Sequence, residues 1–437
     1  MQFERDGFPV APGWLPGVGH VPALMTALPW ILREGDRLGP LFWLHLGASH
    51  WQLASVREEV FAIFRNRETS SELISREAGD IVGKSLIGVD GDPHRRMRGA
   101  LNPAFTPKGL TASRAGELMA SVIVPRVEGW RGLSEISIAN ETREFAVNVI
   151  FRMMGIPARD LVEWRIAFEE FGLGAVPIKW DFPGSPQRRG NTARRWIDAR
   201  LGDIIRDARE SDPETSMVAA MVQGRDEEGR GLEHDELLDN LRLLVFAGHE
   251  TTASTMAWSM LYLAEQPELW DRLVEETVSL DALPTHPEHL AKTPFTEGVF
   301  REALRLRPPV PMDARETIAP WTLLGATIQP GTKLSIGLER MSRDPSRYPD
   351  PERFHPERWM GRKQKPGPIE TAQFGGGPHF CLGYHVAWLE AVMFLAGVAR
   401  TFGREGLRPQ IVGGRMPRPS YFPLQRPPRS SKIRFVR

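Results

Sequence analysis

Apolar residues recur at every third or fourth position through most of the chain, from about residue 90 to 305 and again from about 382 to 400. This spacing is typical of helices that bury one face and expose the other. Two other stretches, about 1–60 and 308–340, contain short apolar segments between turns rich in proline and glycine, at 41–46, 51–56, 321–324 and 333–336. Such segments are typical of strands. The pattern therefore predicts a mainly α-helical protein with a smaller β-rich region.

The longest helical run extends from about Asp235 to Ala264 and would be roughly 45 Å long at 1.5 Å per residue. A helix of that length could cross the whole protein. Residues 341–372, in contrast, are rich in proline and have no regular spacing, so we expect a long irregular segment that other residues hold in place. The sequence contains no internal repeat and no low-complexity linker, and residues 1–437 are predicted to form a single domain.

Composition excludes several classes of protein. Hydrophobic residues make up 41% of the chain, enough to bury a large core, and 55 basic residues balance 55 acidic residues. A chain without net charge has no overall field that would attract nucleic acid. Its one cysteine excludes an intramolecular disulfide and a cysteine-based zinc site. The sequence starts without the pattern of a secretion signal, and no apolar run approaches the roughly 20 residues of a membrane span, so we expect a cytoplasmic protein without a membrane anchor.

The cysteine, Cys381, lies in the most informative segment of the sequence, residues 374–383. Glycines 375 to 377 precede it, and a helix is predicted to begin near Leu382. Backbone N–H groups and the positive end of a helix stabilise a thiolate, which is the form of cysteine that ligates iron. Taken alone, a single cysteine is more often a small buried apolar residue.

The centre of the long helix carries small residues and a hydroxyl. Ala247 and Gly248 lie four and three positions before Thr251, which places all three near one helical face and leaves space there for a small molecule. Glu250 adds an acid next to this alcohol, the pairing that proton delivery requires. The alternative is a point of close helix packing. A zinc peptidase is excluded because Ala253 occupies the position of that motif's second histidine.

Two further pairs have the spacing of neighbours on one helical face. Glu302 and Arg305 are three residues apart, on a helix predicted to begin at Pro294, and His94 and Arg98 are four residues apart. By itself, each pair is most simply explained as a solvated surface pair, and such pairs contribute roughly 0.2–0.5 kcal/mol.

Segment 374–383 resembles, nearly position for position, the haem-binding loop of the cytochrome P450 family. Other segments resemble further motifs of this family and occur in the same order, at 12–17, 91–98, 247–252, 302–305 and 354–358. The resemblance covers essentially the whole chain, and the length is similar to that of the soluble bacterial branch. It implies the cytochrome P450 fold, a triangular helical body with a long central oxygen-activation helix.

The resemblance also implies a haem b cofactor whose iron is bound by Cys381. Thr251 and Glu250 would be catalytic, Thr251 through a hydrogen bond during oxygen activation and Glu250 by supplying protons. Residues that match the family's contacts to haem and its propionates are His94, Arg98, Ala247, Gly248, Arg315, Phe374, Gly375, His379 and Gly383.

Structural and substrate-binding roles follow from the same resemblance. Glu302, Arg305 and Arg358 would form a buried triad that holds the irregular segment 341–372. The substrate pocket would be apolar. The residues that match its walls in the family are Ile87, Phe168, Leu243, Ala247, Val310, Met312 and Phe422.

The reaction implied is hydroxylation or epoxidation of an apolar small molecule with O2 and electrons from a ferredoxin or flavodoxin and its reductase. Terpenoid, steroid-like, fatty-acid and polyketide-type substrates all remain open. We expect the donor to dock on the cysteine side, near Arg95, Arg96 and Lys363. One alternative is a peroxide-using or isomerising relative, which usually lacks the Glu–Thr pair. Another is a haem-based sensor, which would normally carry an additional output domain.

Overall fold

The computed structural model describes residues 4–46, 50–173, 182–421 and 424–437. Helices make up most of them, and the prediction of a mainly α-helical protein with a smaller β-rich region is confirmed. The helices are α1 (Val21–Leu38), α2 (Glu72–Ala78), α3 (Gly91–Phe105), α4 (Pro107–Ala112), α5 (Ala115–Glu128), α6 (Ile138–Met153), α7 (Leu161–Leu173), α8 (Pro186–Glu210), α9 (Met217–Gln223), α10 (His234–Glu265), α11 (Pro267–Val278), α12 (Pro294–Leu306), α13 (Leu338–Met341) and α14 (Tyr384–Phe402).

The largest sheet has the strand order β3-β4-β9-β6-β5, in which β4 and β9 are parallel and the other pairs are antiparallel. Three antiparallel pairs, β1–β2, β7–β8 and β10–β11, complete the strands of the described residues. The strands are β1 (Glu4–Arg5), β2 (Phe8–Pro9), β3 (Phe42–His45), β4 (Trp51–Ser55), β5 (Thr69–Ser70), β6 (Asp313–Thr317), β7 (Trp321–Leu323), β8 (Ala326–Ile328), β9 (Lys333–Ile336), β10 (Arg408–Ile411) and β11 (Ile433–Val436).

Helix α10 is the central element, and it begins and ends within one residue of the predicted run. A capping box stabilises its first turn, in which the N–H of Glu233 donates to Glu236 over 2.8 Å. The helix packs against α6, α12 and α14, and residues 252–263 are buried on every side. A helix buried all round belongs in the centre of a large core. Its middle, residues 247–251, is more exposed than this buried half.

Helix α14 fills the core beside α10. Residues 388–399 are buried, and α5, α11 and α12 pack around them. Among the described residues, one segment, Gly377–Glu405, is apolar and long enough to cross a membrane, but 67% of its most apolar stretch is buried inside the protein. The segment is therefore explained as the core helix α14 with its flanking turns.

Helix α1 and the strand pair β10–β11 are among the elements that the sequence pattern did not predict. Helix α1 includes Pro22 and Pro29, which interrupt the helical pattern, and a kink at Ala27 accommodates the second proline. The antiparallel pair β10–β11 joins strands that are separated by more than 20 residues, and Pro409 lies in one of them. Pairing over such a distance depends on tertiary packing, which short-range patterns do not report.

Candidate active site around Cys381

The loop before Cys381 requires glycine. Gly375 and Gly377 have φ of 73° and 58°, in the left-handed region that other residues rarely adopt. A Cβ on Gly377 would lie 2.1 Å from the carbonyl oxygen of Phe64, so only a glycine allows the two backbones to pass this closely. The N–H of Cys381 donates to the carbonyl oxygen of Phe374 over 2.8 Å and closes the loop.

Helix α14 begins at Tyr384, two residues later than the sequence pattern predicts. Gly383 is the residue before its first turn, and its N–H is hydrogen bonded to the sulfur of Cys381. Burial raises the pKa of Cys381, while the N–H of Gly383 and the charge of Arg98 act in the opposite direction. Arg98 itself donates to the carbonyl oxygen of Phe380 over 2.5 Å. Because burial dominates, the thiolate needs a further positive charge at the sulfur, such as a bound metal ion.

Basic side chains from three parts of the chain meet beside this loop. His94 and Arg98 lie on α3, Arg315 lies on β6, and the ring centroid of His379 is 4.1 Å from that of His94. Burial, together with the charges of His379, Arg98 and Arg315, lowers the pKa of His94 to about 4. His94 is 3% exposed, and its Nε2 has no hydrogen-bond partner. Two guanidinium groups beside a buried ring nitrogen without a partner form a site for an anion, such as a carboxylate.

Asp90 belongs to the same group, and sequence reasoning missed it. Its carboxylate accepts hydrogen bonds from Ser70 Oγ over 2.8 Å, from Ser71 N over 2.7 Å and from His379 Nε2 over 2.8 Å. Burial acts to raise the pKa of Asp90, but these hydrogen bonds hold it well below its usual range. An Asp at the N-cap of a helix normally caps its own helix. Asp90 occupies the N-cap of α3 but makes no such bond, so its position alone did not signal these distant contacts.

The middle of α10 presents a small open face. Ala247 is exposed although it lies at the centre of the helix, and Thr251 is partly exposed one turn later. The hydroxyl of Thr251 donates to the carbonyl oxygen of Ala247 over 2.7 Å. Gly248 lies close to α6, since a Cβ there would lie 2.5 Å from Cδ1 of Ile150. The alternative interpretation of Gly248, a point of close helix packing, therefore applies at this position.

Glu250 lies among basic residues. Its carboxylate accepts from Arg143 Nε over 2.5 Å and from Arg426 Nη1 over 3.4 Å, and it is 3.4 Å from His249 Nε2. Burial acts to raise the pKa of Glu250, but His249, Arg143 and Arg426 lower it to about 2. The acid and the alcohol of Thr251 are therefore adjacent in sequence but have different partners. Glu250 is ionised at neutral pH, and its ion pairs must loosen before it can take up a proton.

Comparison with known proteins identifies the family. The sequence model described as cytochrome P450 matches residues 173–411. Cytochrome P450 BJ-4 of Bradyrhizobium diazoefficiens is 40% identical over 432 residues, which cover 99% of this chain and 97% of the relative. The chain belongs to the cytochrome P450 family.

A second relative and a solved structure support the assignment. Cyclooctat-9-en-7-ol 5-monooxygenase of Streptomyces melanosporofaciens is 30% identical to this P450 over 420 residues, covering 91% of this chain and 89% of the relative. The structure of retinoic acid-bound cyanobacterial CYP120A1 matches with a TM-score of 0.83 and 25% identity, covering 98% of this chain and 100% of that one. The protein is accordingly a P450 monooxygenase, and its cofactor is haem b.

The residues around Cys381 fit this cofactor. Haem carries two carboxylates, and the basic group of His94, Arg98 and Arg315, with the unpartnered Nε2 of His94, complements such charges. Because burial favours the neutral thiol, a thiolate at Cys381 would be stabilised by a cation at the sulfur, which iron would supply. The exposure of Ala247 in the middle of a core helix leaves apolar surface for the opposite side of a flat ligand.

Glu302, Arg305 and Arg358 meet in this P450. Arg305 donates to the two oxygens of Glu302 over 2.7 and 2.9 Å, and Arg358 Nε donates to Glu302 over 2.8 Å. Glu302 is 0% exposed and Arg305 is 1% exposed, so a solvated surface pair is excluded. Arg305 also donates to backbone carbonyl oxygens at the start of the irregular segment, those of Ser342, Pro351 and Arg353. The network thus connects this segment to α12.

The residues predicted to line the pocket divide into three groups. One group keeps partly or fully exposed apolar surface: Ile87, Leu243, Ala247, Val310 and Met312. Phe168 differs, since it is 5% exposed and its ring centroid lies 5.6 Å from Phe151 and 5.9 Å from Phe246. Aromatic rings of neighbouring helices interlock there, which places Phe168 in the core. Phe422 lies outside the described residues.

Proposed function

We propose that this P450 hydroxylates or epoxidises an apolar, terpenoid-like small molecule in the cytoplasm. Two observations carry this proposal: the basic group of His94, Arg98 and Arg315 beside the loop of Cys381, and the exposed apolar Ala247 in the middle of the core helix α10. A wall of that kind binds an apolar guest. The known relatives support the substrate class, since one is named for cyclooctat-9-en-7-ol and the structural neighbour contains retinoic acid.

The roles of individual residues follow from their surroundings. Cys381 would bind the iron, and His94, Arg98 and Arg315 would hold the two carboxylates of haem. Asp90 engages His379 through Nε2, so only the other ring nitrogen of His379 could face the cofactor. When bound, haem would supply the oxidising chemistry, which a thiolate ligand from Cys381 would favour.

The proton path would use the polar groups of α10. The Thr251 hydroxyl now donates to the Ala247 carbonyl oxygen and can exchange that bond for one directed into the pocket. Glu250 would receive protons from the surface when its ion pairs with Arg143 and Arg426 open. Delivery of a proton by a positioned acid and alcohol is general acid catalysis.

Electrons would come from a separate ferredoxin or flavodoxin with its reductase. Arg95 and Lys363 are exposed and could steer an acidic protein to the cysteine side. Arg96 cannot contribute as expected from sequence, because it pairs with Glu236 over 2.5 Å and donates to the carbonyl oxygen of Gly231 over 2.5 Å. The proposed docking surface for the electron donor therefore includes Arg95 and Lys363 but not Arg96.

Carbon monoxide binding tests the assignment of Cys381. The reduced, haem-loaded protein should show an absorption band at about 450 nm, and Cys381→Ser should abolish the band because the thiolate ligand is lost. Thr251→Ala, a matched change on α10, should keep it. A band that persists in Cys381→Ser would contradict the proposal.

Ligand binding and turnover test the substrate class. Retinoic acid and a series of terpenoid alcohols should be screened for the shift of the Soret band that accompanies loss of water from the iron. A compound that shifts the band should be converted with uptake of O2 when an electron donor is present. Conversion with peroxide but not with O2 and donor would favour a peroxide-using enzyme.

A further inference from the structure

One turn of α10 contains buried polar residues that the oxygen chemistry does not use. Asp239 and Asn240 are 9% and 3% exposed, and Arg242 is 1% exposed. Charged and amide side chains are rarely buried to this extent unless they are hydrogen bonded. They bond to one another and to α10, but each also has a partner outside this helix, in the segment that leads to α3 or in α8.

Asp239 and Asn240 hold the backbone of the segment 83–86. The N–H of Lys84 donates to Asp239 Oδ2 over 2.7 Å, and the N–H of Leu86 donates to Asn240 Oδ1 over 3.0 Å. Gly83 has φ of 53°, and a Cβ there would lie 2.4 Å from Asp239 Oδ2. The close approach thus requires glycine at 83, and alternate amides of the segment bond to neighbouring side chains of one helix.

Both acceptors are themselves fixed. Asn240 Nδ2 donates to the carbonyl oxygen of Glu236 over 2.8 Å, which orients the amide so that Oδ1 faces Leu86. Arg242 donates to Asp239 and also to Asp198 on α8. The position of segment 83–86 is therefore tied to α10 and, through Arg242, to α8.

We propose that Asp239 and Asn240 are positioning residues that determine which ligands the pocket accepts. They fix the backbone of segment 83–86 and thereby the position of Ile87, the next residue. The side chain of Ile87 is partly exposed, whereas its neighbours Leu86 and Gly88 are buried. Because this inference uses the pocket beside Cys381, it rests on the proposed function. When the backbone hydrogen bond to Asn240 is lost, Ile87 no longer has a single position, and the space next to it changes.

Azole binding to the haem-loaded protein tests the inference. Imidazole and 4-phenylimidazole both bind haem iron, but only the larger one reaches the pocket wall. Asn240→Ala should change the Kd of 4-phenylimidazole at least fivefold and that of imidazole less than twofold. Asp235→Ala, an exposed change on α10, should leave the ratio of the two Kd values unchanged. An equal effect of Asn240→Ala on both azoles would overturn the inference.

Hydrogen exchange provides a second measurement, which needs no added ligand. In the unmodified holoenzyme the amides of Lys84 and Leu86 should exchange at least 100-fold more slowly than an unstructured backbone, and Asn240→Ala should accelerate Leu86 at least tenfold. Free exchange of both amides in the unmodified protein would reject the inference. Failure of the proposed function has a different signature, since neither azole would then produce a spectral shift while the exchange protection would remain.

Discussion

At the scale of single residues, the protein buries ionisable groups in very different electrostatic surroundings. Glu250 is surrounded by Arg143, Arg426 and His249, and its pKa falls to about 2. Glu390 on α14 is 1% exposed, its Oε1 has no hydrogen-bond partner, and burial raises its pKa to about 8. The same side chain is therefore ionised in one place and neutral in the other at pH 7, because only the first has positive neighbours.

The buried carboxyl of Glu390 should make stability depend on pH. Its pKa is near 4.5 in the unfolded chain and about 8 in the folded protein. The folded state thus binds the proton more tightly, so the stabilising effect is complete below pH 4.5 and is lost as the pH rises towards 8. Between pH 4.5 and 7 the loss amounts to about 3 kcal/mol at 1.36 kcal/mol per pH unit.

Glu390→Gln should remove this slope. Chemical unfolding of the wild-type protein and the variant at pH 5, 6 and 7 gives the difference directly. The variant should gain stability relative to the wild type as the pH rises. Parallel pH profiles would show that Glu390 does not retain its proton in the folded protein.

Thr251 should control how efficiently electrons are used. Thr251→Ala removes the hydroxyl on the open face of α10, so proton delivery should fail, and product formed per electron pair should fall at least about tenfold while peroxide accumulates. Product and peroxide are quantified in the same assay. Thr252→Ala changes a neighbouring hydroxyl that is buried away from this face. It should leave the product formed per electron pair within about twofold of the wild-type value.

At the scale of elements, one buried network holds the long irregular segment to α12. Glu302 accepts not only from Arg305 and Arg358 but also from Trp359 Nε1 over 2.9 Å and from the N–H of His355 over 3.1 Å. A charged group that satisfies this many donors replaces the regular hydrogen bonds that residues 341–372 largely lack. The sequence pattern of this segment, without a helical or strand period, is thereby reconciled with an ordered structure.

Glu302→Gln should destabilise the protein by about 3–5 kcal/mol, since two buried guanidinium groups would lose their counter-charge. The matched variant Glu297→Gln removes a partly exposed carboxylate of the same helix, which pairs with Arg301 over 2.9 Å, and it should cost less than about 1 kcal/mol. Thermal unfolding followed by circular dichroism and by the Soret band measures both. Similar losses for the two variants would mean that the network does not anchor the segment.

At the scale of the whole molecule, charge is balanced overall but distributed unevenly. With 55 basic and 55 acidic residues, the chain attracts a partner only through local patches. Of the basic residues expected on the donor side, Arg95 and Lys363 are exposed, whereas Arg96 has a partner inside the protein. Donor recognition should therefore depend on few charges and should weaken with salt.

Charge reversal tests this expectation. Arg95→Glu combined with Lys363→Glu should raise the apparent Michaelis constant for a ferredoxin at low ionic strength about tenfold, and the difference should disappear at 0.5 M salt, where the Debye length is roughly 4 Å. Arg206→Glu on α8 serves as the control, since it reverses an exposed charge on a helix that packs against α7 and α9. If the double variant behaves like this control, the donor docks elsewhere.

The sequence by itself determined the features that depend on neighbouring residues. Each of these features is encoded within a few helical turns or a short segment, and it could therefore be predicted. They are the helices α10 and α12, the strands β3, β4, β7 and β9, and the glycine loop before Cys381. The family motifs are local in the same sense. Helix α1 was not predicted because Pro22 and Pro29 interrupt its helical pattern, although a kink in the structure accommodates a proline there.

Only the tertiary structure decided which residues each of these side chains contacts. Glu250 lies next to Arg143, which is 107 positions away, and Asp90 contacts His379, which is 289 positions away. Gly248 faces α6, and Phe168 joins an aromatic cluster of the core. A local pattern specifies the direction in which a side chain points, but its partner, and with it the pKa and the role of the group, is set by elements that folding brings together from distant parts of the chain.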